Sequence, residues 1–357
     1  MHDVEIISLP GRFWKWRMHG GAVTLAREFL SRRMSPDLIV ASSMLDLSTF
    51  LSLTRRVTDF IPVAAYFHEN QLAYPWQESD RDRRRGSDVH YGFINFITAL
   101  TADRVFFNSH YNMESFLDGL TRMLKHFPDY QELECAREIA EKSSCLYVGV
   151  DFSRPLPSDA AFEIHDKSSD VPVIVWNHRW EYDKNPAEFF DALLYLVSKG
   201  LDFRVILLGE SFRQKPREFL HAISMLGPRV LHAGFVKDRT EYIHWLQRAN
   251  LLPVTSLHDF FGISVCEAIY SGCLPILPNR LAYPELVPPM FHPMVFYNNS
   301  KQFREMLETE VRGWRRNRER RAQIVTALQQ AISRFSWEYM APEYDRVFGS
   351  MIRDGKV

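Results

Sequence analysis

Two carboxylates lie on either side of a glycine in the segment HDFFGISVCEAIYSGCLPI, which spans residues 258–276. Asp259 and Glu267 are eight positions apart, and Gly262 lies between them. A strand is predicted to end at Ser256 and a helix to follow the glycine, so that the backbone can approach a ligand and the helix amino terminus can stabilise an anion. A diphosphate fits such a site.

The two acids have different predicted tasks. Glu267 lies one to two turns into the helix, where its oxygens can accept hydrogen bonds from both hydroxyls of a ribose. Asp259 precedes the helix and would face whatever is attached to the phosphates. Taken singly, each acid could instead be a helix-terminal charge or part of a solvated face. Their combination around Gly262 favours a functional interpretation.

A second segment, WNHRWEYDKNPAEFF at residues 176–190, supplies two cations after another predicted strand. Arg179 and Lys184 precede a helix whose start is marked by Asn185 and Pro186. The planar guanidinium of arginine can bind a phosphoryl group through two hydrogen bonds, and the ammonium of lysine binds one as a point charge, so the pair can bind a diphosphate. The alternative is a surface pair that balances the acids at 181 and 183.

Short β-branched or aromatic runs alternate along the chain with segments of helical length, which predicts an α/β protein with parallel sheets covered on both faces. The predicted strands are residues 4–9, 37–43, 62–67, 104–108 and 144–150 in the first half, and 171–177, 203–209, 230–235, 251–255 and 274–277 in the second. Residues 151–170 are rich in Pro, Ser and Asp and are predicted to be a linker. We therefore expect two doubly wound, Rossmann-like domains, at 1–150 and 171–335, and a closing helix at 336–357 that packs back on the first.

Ligands of such sheets bind beyond the carboxyl ends of the strands, where this sequence is unusually polar. Both halves are expected to contribute groups to one cleft between the domains. The groups at these positions are Ser42, Ser43, His68, Glu69, Asn70, Asn108 and Ser109 in the first half, and Asn177, His178, Arg179, Gly209, Glu210, Gly234 and residues 256–259 in the second.

Composition limits the classes of partner. The 357 residues carry a net charge of −1, so no whole-molecule field attracts nucleic acid or an anionic membrane, and a polyanion would need a local patch. The four cysteines show no CxxC pair, which is typical of thiols in a reducing compartment. Because the sequence has neither a secretory signal nor an apolar run of about 18 residues, we expect a cytoplasmic protein without a membrane partner.

These motifs resemble the carboxyl-terminal signature of the retaining, GT-B-fold glycosyltransferases of family 4. The strings YFHENQLAYP (66–75), FNSHYNMESF (107–116), NHRWEYDKNP (177–186) and LAYPEL (281–286) are similar to one subgroup, the tRNA-queuosine α-mannosyltransferases. The resemblance spans residues 66–286, and FSWEYM near the end fits the closing helix of the family. It implies GDP-mannose as the donor, the cyclopentenediol of queuosine in tRNA(Asp) as the acceptor, and retention of anomeric configuration.

The resemblance also implies a role for each matching residue. Arg179 and Lys184 would bind the donor diphosphate, and Glu267 would hold the ribose. His68 would reach a sugar hydroxyl from the first domain. The remaining donor-side positions are Asp259, Phe260, Phe261 and Gly262 at the sugar, Gly234, Phe235 and Val236 at the base, and Gly209 and Glu210 in the LLGES turn. The resemblance implies a reaction on one face of the sugar, where the leaving phosphate oxygen takes the acceptor's proton. No metal or other cofactor is expected, because Arg179, Lys184 and the helix dipole can carry the developing charge and no DxD-like ligand pair is present.

The sequence departs from the family at two places. Asp259 stands where the family usually has Glu, which shortens its reach to the sugar by one methylene. The family also normally opens with a strand, a Gly-rich loop containing His, and a helix, all before the segment that begins here at residue 1. Either His19-Gly20-Gly21 before a helix at 22–32 substitutes for that loop, or the chain begins after it. We expect the latter, and therefore a first sheet without its initial strand.

Candidate acceptor contacts lie in two basic segments of the first half. GRFWKWRM interleaves tryptophans with cations, and RDRRRG is a basic cluster after the HENQLAYP turn. Both could meet tRNA phosphates while a tryptophan stacks on exposed bases, although buried Trp and solvated Arg are the simpler interpretation. The acceptor-side candidates are Arg12, Trp14, Lys15, Trp16, Arg17, Glu69, Asn70, Arg81, Arg83, Arg84, Arg85, Asn108 and Ser109.

Other functions remain open at this stage. The diphosphate machinery does not select the sugar, so a family 4 enzyme with another sugar nucleotide or a small acceptor is the first alternative. A catalytically silent GT-B scaffold that binds nucleotide or RNA is the second, and the aspartate at 259 motivates it. A dehydrogenase is disfavoured because no GxGxxG follows any predicted strand. The sequence indicates no obligate protein partner.

Overall fold

The computed structural model describes residues 2–74, 88–153, 170–209 and 217–354. The chain divides into two compact units. Residues 1–148 together with 340–357 form unit 1, and residues 149–339 form unit 2.

Unit 1 is a parallel α/β layer structure. Its helices are α1 (Trp14–Ser31), α2 (Leu47–Thr58), α3 (Asp88–Thr101), α4 (His110–Leu124) and α5 (Leu133–Glu141), and its strands are β1 (Ile39–Ser42), β2 (Val63–Phe67), β3 (Arg104–Phe107) and β4 (Ser143–Cys145). The strands pair in the order β1-β2-β3-β4, and every pair is parallel. β2 is apolar along its whole length because helices cover both of its faces.

Local sequence explains the helices of this unit. In α1 the buried side chains recur at spacings of three and four, from Met18 through Ala22 and Ala26 to Phe29. Asp46 caps α2 by accepting a hydrogen bond from Thr49 N at 3.0 Å. Burial opposes ionisation of Asp46, but this bond and others from the Thr49 and Ser48 hydroxyls lower its pKa below the usual value.

At the start of the chain one predicted strand is absent, and the alternative in which residues 19–21 form a loop is contradicted. Residues 4–9 form no strand, since they pair with no ladder and Val4 and Ile6 are exposed. His19, Gly20 and Gly21 form no loop, because they lie inside α1, which begins eight residues earlier than predicted. The burial of side chains at helical spacing, starting at Met18, stabilises the helix enough to offset the low helix propensity of Gly20 and Gly21.

Unit 2 contains a larger parallel sheet. Its helices are α6 (Pro186–Ser198), α7 (Arg217–Leu226), α8 (Arg239–Arg248), α9 (Ile263–Tyr270), α10 (Tyr283–Leu286), α11 (His292–Val295), α12 (Ser300–Arg312) and α13 (Arg318–Ser333). Its strands are β5 (Val173–Trp176), β6 (Arg204–Leu207), β7 (Val230–Ala233), β8 (Leu251–Pro253), β9 (Leu274–Pro278) and β10 (Phe296–Tyr297).

All strands of unit 2 are parallel and lie in the order β10-β9-β8-β5-β6-β7. From β5 the chain first adds strands on one side of the sheet, and from β8 onward it adds them on the other side. The first strand of the unit thus lies beside its fourth, and crossovers leave on opposite sides. Such a switch point opens a crevice beyond the carboxyl ends of the two strands, which is where open α/β sheets bind ligands. The segments that follow β5 and β8 are the two that carry the chemical motifs.

A last helix, α14 (Trp337–Asp354), begins in unit 2 and continues into unit 1. Met340 and Met351 pack with Ala64 and Phe106 on the sheet of unit 1. Across the described residues, no helix combines the length and the apolar character that a bilayer crossing needs.

The two parallel-sheet α/β units predicted from the alternation are confirmed. Nine of the ten predicted strands are present with ends shifted by a few residues. The tenth, at residues 4–9, is absent, and the two-residue β10 was not predicted because no periodicity can be read over so short a segment. Most of the predicted linker at 151–170 lies outside the described residues.

Candidate active site

The loop after β5 is tied to the loop after β8 by backbone-directed hydrogen bonds. Thr255 Oγ1 donates to the carbonyl oxygens of Lys184 and Asn185, both at 2.9 Å. Leu257 N donates to the carbonyl of Asp183 at 2.7 Å. These bonds fix the short 3₁₀ turn Tyr182–Lys184 at the switch point, and α6 begins directly after it with Pro186 at its first position.

Lys184 is buried between two carboxylates. Its Nζ donates to the carbonyl of His258 at 2.6 Å and lies 3.4 Å from Asp183 Oδ2 and 3.6 Å from Asp259 Oδ2. Lys184 and Asp259, which the resemblance assigns to different parts of one donor, thus lie within ion-pair distance of each other. Because two negative charges surround one ammonium, much of the charge of Lys184 is already compensated.

Asp259 accepts hydrogen bonds from two further groups. Phe261 N donates to Oδ1 at 3.3 Å and Tyr283 Oη donates to Oδ2 at 3.1 Å. Burial alone would raise the pKa of Asp259, but the charge of Lys184 and these hydrogen bonds together hold it below the usual value. Asp259 is therefore ionised at neutral pH, with the phenol of Tyr283 kept protonated because burial and this carboxylate raise its pKa well above the usual value.

Gly262 forms the junction between this loop and α9. Its φ of 96° lies in the left-handed region, and a Cβ there would come within 3.0 Å of the ring of Tyr283. The sequence LAYPEL thus packs its tyrosine against the glycine that opens α9. Phe260 and Phe261 are buried, and their rings pack edge-on against His258 and Phe335, respectively.

Glu267 lies on α9 as predicted, but it already has two protein partners. Arg239 Nη1 donates to its Oε1 at 2.6 Å, and Tyr242 Oη donates to its Oε2 at 2.9 Å. A carboxylate has about four acceptor positions on its two oxygens, so two remain for a diol. Arg239 and Tyr242 come from α8 and orient the carboxylate.

The end of β5 is joined to the amino terminus of α9 through two side chains. Asn177 Nδ2 donates to the carbonyl of Ser264 at 2.7 Å and lies 3.2 Å from Tyr242 Oη. His178 Nδ1 lies 3.1 Å from Ser264 Oγ. Burial, followed by the positive charge of Lys184, lowers the pKa of His178 to about 3, so its ring is neutral at physiological pH. A continuous set of contacts therefore links the β5 end with Glu267.

Arg179 differs from Lys184 in its surroundings. Its side chain is 52% exposed, and its ion pair is with Glu181 at 3.4 Å. Burial raises the pKa of Glu181 in spite of the arginine. Arg179 is consequently the cation of this motif that is open to an incoming anion, whereas Lys184 is part of the packed frame.

The other predicted donor positions lie in the loops after β6 and β7. Gly209 is required for packing, because a Cβ there would lie 2.1 Å from the carbonyl of His178. Gly234 and Val236 follow β7, where Val236 is buried and Phe235 is exposed. Glu210 lies outside the described residues.

In unit 1 the predicted acceptor-side amides form a buried network. Asn108 Nδ2 donates to the carbonyl of His68 at 2.9 Å, and Asn70 Nδ2 donates to Asn112 Oδ1 at 2.8 Å. Ser109 caps α4 by accepting from Asn112 N at 2.9 Å. Asn70, Asn108 and Ser109 are buried, and Asn108 holds the turn at residues 68–70 through the carbonyl of His68. Their predicted contact with an acceptor remains a prediction.

His68 and Glu69 are the members of that turn with access to solvent, since His68 is exposed and Glu69 half-buried. The network beneath them fixes the backbone at His68 through its carbonyl. The predicted contact of His68 with a sugar hydroxyl remains a prediction.

The basic aromatic segment folds as the start of α1. Trp14 packs 5.6 Å from the ring of Tyr91 in a small cluster with Met18 and Ile94, whereas Trp16 is exposed. The two tryptophans predicted together thus have different environments. Arg12 is exposed, and Lys15 and Arg17 are half-buried. The cluster Arg81, Arg83, Arg84 and Arg85 lies outside the described residues.

Sequence reasoning missed the residues that hold the site together. Arg239 and Tyr242 contact Glu267 from α8, and Tyr283 contacts Asp259 from the start of α10. Tyr283 lies in the LAYPEL string and could have been found there. Arg239 and Tyr242 carry no local signal, because their partner Glu267 is more than 20 positions away along the chain.

The chain is similar to known proteins over almost its whole length. Residues 1–150 match the family model described as tRNA-queuosine alpha-mannosyltransferase N-terminal, and residues 157–330 match glycosyl transferases group 1. A Drosophila melanogaster protein named tRNA-queuosine alpha-mannosyltransferase is 34% identical over 355 residues, which cover 99% of this chain and 90% of the fly protein.

Solved structures show the same fold at low identity. Sucrose-phosphate synthase from Thermosynechococcus elongatus superposes with a TM-score of 0.71 at 14% identity, covering 97% of this chain and 81% of that one. HepE of Anabaena, solved in complex with UDP, gives 0.64 at 18% identity, covering 93% and 84%. The predicted GT-B fold class is thereby confirmed. The family model and the full-length relative agree, and the chain belongs to the tRNA-queuosine alpha-mannosyltransferase family.

Proposed function

We propose that this protein transfers mannose from GDP-mannose to the cyclopentenediol of queuosine in tRNA(Asp), in the cytoplasm and with retention of anomeric configuration. The observation that carries the proposal is the 34% identity over 355 residues to the fly protein of that name. The geometry of unit 2 supports the donor half of it, because a cation, a helix amino terminus and two oriented carboxylates adjoin the switch point of the sheet.

The donor diphosphate is assigned to Arg179 and to the amino end of α9. Breaking the sugar–phosphate bond places negative charge on the leaving diphosphate, and fixed positive groups stabilise that charge as it develops. Arg179 is open to solvent, while Lys184 is already paired with Asp183 and Asp259. We therefore assign Arg179 the larger share of diphosphate binding, and Lys184 the task of keeping Asp259 ionised and in place.

The two carboxylates are assigned to the two ends of the donor. Glu267, oriented by Arg239 and Tyr242, would accept the ribose hydroxyls with its remaining lone pairs. Asp259 would face the mannose and stabilise its positive charge in the transition state. The acceptor hydroxyl attacks the anomeric carbon, the bond to the phosphate oxygen breaks, and that oxygen takes the hydroxyl proton. With Arg179 and the helix end opposite the diphosphate, the proposed reaction uses no metal ion.

The direct test is a transfer assay with product analysis. Purified protein is incubated with GDP-mannose and tRNA(Asp) that contains queuosine, and the nucleosides are examined by mass spectrometry. A gain of one hexose on queuosine is expected, with no gain on tRNA(Asp) that lacks queuosine or with UDP-glucose as the donor. Transfer from UDP-glucose would favour another sugar nucleotide, and binding of both substrates without any product would favour a silent scaffold.

A further inference from the structure

The start of α1 exposes two large aromatic side chains. Phe13 is 77% exposed and Trp16 is 71% exposed. Trp14 lies between them in the sequence but belongs to the cluster with Tyr91. Burial of an aromatic side chain is favourable, so two exposed rings within four residues indicate a surface that functions in contact with something else.

The orientation of Trp16 is set by the helix itself. Its indole lies over Gly20, with ring atoms 3.6 to 3.9 Å from where a Cβ of that glycine would be. Arg17 Nε donates to the carbonyl of Arg12 at 3.2 Å, which ties the helix to the residues before it. The ring is thus supported along the helix while most of its surface remains accessible.

The charged residues near these rings in the sequence are all of one sign. Between Glu5 and Glu28 the sequence has no acidic residue, whereas it has four Lys or Arg residues. The chain as a whole carries 43 Lys and Arg against 44 Asp and Glu. This local excess of positive charge therefore departs from the average of the molecule and complements a polyanion. The four cations are Arg12, Lys15, Arg17 and Arg27.

We propose that Phe13 and Trp16 form a stacking platform for unpaired bases of the substrate RNA, while Arg12, Lys15 and Arg17 hold the adjoining phosphates. The inference rests on the proposed function and assigns part of the RNA interface to one surface of unit 1. Single-stranded nucleic acid is bound by aromatic rings within basic surroundings, because every base offers a π-face beside a charged backbone. Trp14 is excluded from this role, since its ring is partly buried against Tyr91.

The test measures RNA binding separately from catalysis. A fluorescently labelled tRNA(Asp) transcript and a blunt RNA duplex of equal length are titrated with the full chain, and binding is followed by anisotropy. Trp16→Ala and Phe13→Ala are each expected to weaken tRNA binding about tenfold, as loss of one stacked base would. Duplex binding should change little because a duplex has no unpaired base to stack.

Tyr130→Ala is the matched control. Tyr130 is 85% exposed and, like Phe13, has a positive φ, but its neighbours Asp129 and Glu132 are acidic. This variant should bind tRNA as the wild type does. Lys15→Ala and Arg17→Ala should each reduce the slope of log affinity against log salt by about one, whereas the aromatic variants should leave that slope unchanged.

The outcomes separate this inference from the proposed function. If the wild type binds tRNA through these rings but transfers no mannose, the platform stands and the proposed function fails. If the protein transfers mannose and Trp16→Ala and Phe13→Ala retain wild-type affinity and KM for tRNA, the platform is overturned and the function stands. Loss of anionic-vesicle binding, or of self-association, in these variants with tRNA binding intact would also overturn it.

Discussion

The hydroxyl of Tyr283 donates a hydrogen bond to Oδ2 of Asp259 at 3.1 Å, and so joins the start of α10 to the loop before α9. The same ring packs against the position of Gly262, which opens α9. One side chain therefore fixes both the carboxylate assigned to the donor sugar and the turn beside it. Two strings that seem independent in the sequence, HDFFG and LAYPEL, form one structural unit.

Replacement of Tyr283 by Phe is expected to change both stability and the pH dependence of activity. A hydrogen bond to a charged group contributes about 1.5–3 kcal/mol to the free energy of unfolding. Its loss should also raise the pKa of Asp259, which the bond helps to keep low. The acid limb of the transfer rate should therefore move to higher pH, as measured from the pH–rate profile.

Tyr297→Phe provides the control for that experiment. Tyr297 Oη donates to the neutral carbonyl of Val254 at 2.8 Å in the same unit. Its loss should cost about 1 kcal/mol of unfolding free energy and leave the acid limb where it is. An identical shift in both variants would show that Tyr283 has no specific effect on Asp259.

Arg179 and Lys184 are expected to respond in opposite ways to replacement by Ala. Arg179 is half exposed, so Arg179→Ala should change the unfolding free energy by less than about 0.5 kcal/mol. Turnover should fall roughly a hundredfold, which corresponds to about 3 kcal/mol of lost transition-state stabilisation. Unchanged turnover of this variant at saturating GDP-mannose would contradict the proposal that Arg179 binds the donor diphosphate.

Lys184→Ala should instead lower the free energy of unfolding substantially. It leaves Asp183 and Asp259 without their shared cation in a buried site, and removal of one partner of a buried ion pair costs about 3–5 kcal/mol. Urea unfolding of the two alanine variants side by side measures the difference. A Lys184→Ala protein as stable as the wild type would show that this lysine is not part of the packed frame.

The contacts on Glu267 predict an effect on donor binding. Tyr242→Phe and Arg239→Ala each remove one hydrogen bond that orients the carboxylate. In the proposed donor complex the ribose is remote from the reacting bond, so the lost interaction is the same in the ground state and the transition state. We therefore expect KM for the donor to rise about tenfold and kcat to stay nearly unchanged. Calorimetric titration with GDP should show the same loss of affinity.

Arg248→Ala is the control on the same helix. Arg248 lies 4.8 Å from the ring of Trp245 and makes its contact away from Glu267. Its donor KM should equal that of the wild type. A fall in kcat for Tyr242→Phe, with KM constant, would place Glu267 at the reacting bond and contradict the ribose assignment.

The sequence predicts local structure best where the residues concerned lie close together in the chain. The Asp259–Gly262–Glu267 frame and the Arg179–Lys184 turn were predicted from local spacing, and contacts in the structure connect them. It could not separate Trp14 from Trp16, because their environments depend on Tyr91, which is distant in sequence. The burial of the amides in the first half could not be predicted for a similar reason, since a buried network and a ligand site call for the same residue types.

His178 predicts a loss of stability in mild acid. Its folded-state pKa is lowered to about 3, below the usual 6.5, so the unfolded chain binds a proton that the folded protein excludes. The stabilisation is complete above pH 6.5 and is lost as the pH falls from 6.5 toward 3. Between pH 6 and 5, His178→Gln should reduce the slope of unfolding free energy against pH by up to about 1.4 kcal/mol per pH unit.

The readout is the slope rather than the stability at one pH, because His178→Gln also removes packing. Val175→Ala, in the buried strand β5, destabilises unit 2 without changing a titratable group. This variant should keep the wild-type slope while it lowers stability at every pH. Equal slopes for His178→Gln and the wild type would contradict a buried, neutral His178.

Gly262→Ala tests whether the turn before α9 must approach Tyr283. Its φ of 96° is strained for any residue with a Cβ, which costs of order 1–3 kcal/mol. The new methyl group would also lie 3.0 Å from the ring of Tyr283 and displace the hydroxyl that holds Asp259. Gly200→Ala shares a positive φ, 69°, but its Cβ would meet nothing within 4 Å. Both variants should lose stability, but the rate of mannosyl transfer should fall, by about tenfold or more, only in Gly262→Ala. Full activity in both variants would show that Tyr283 can move without disturbing Asp259.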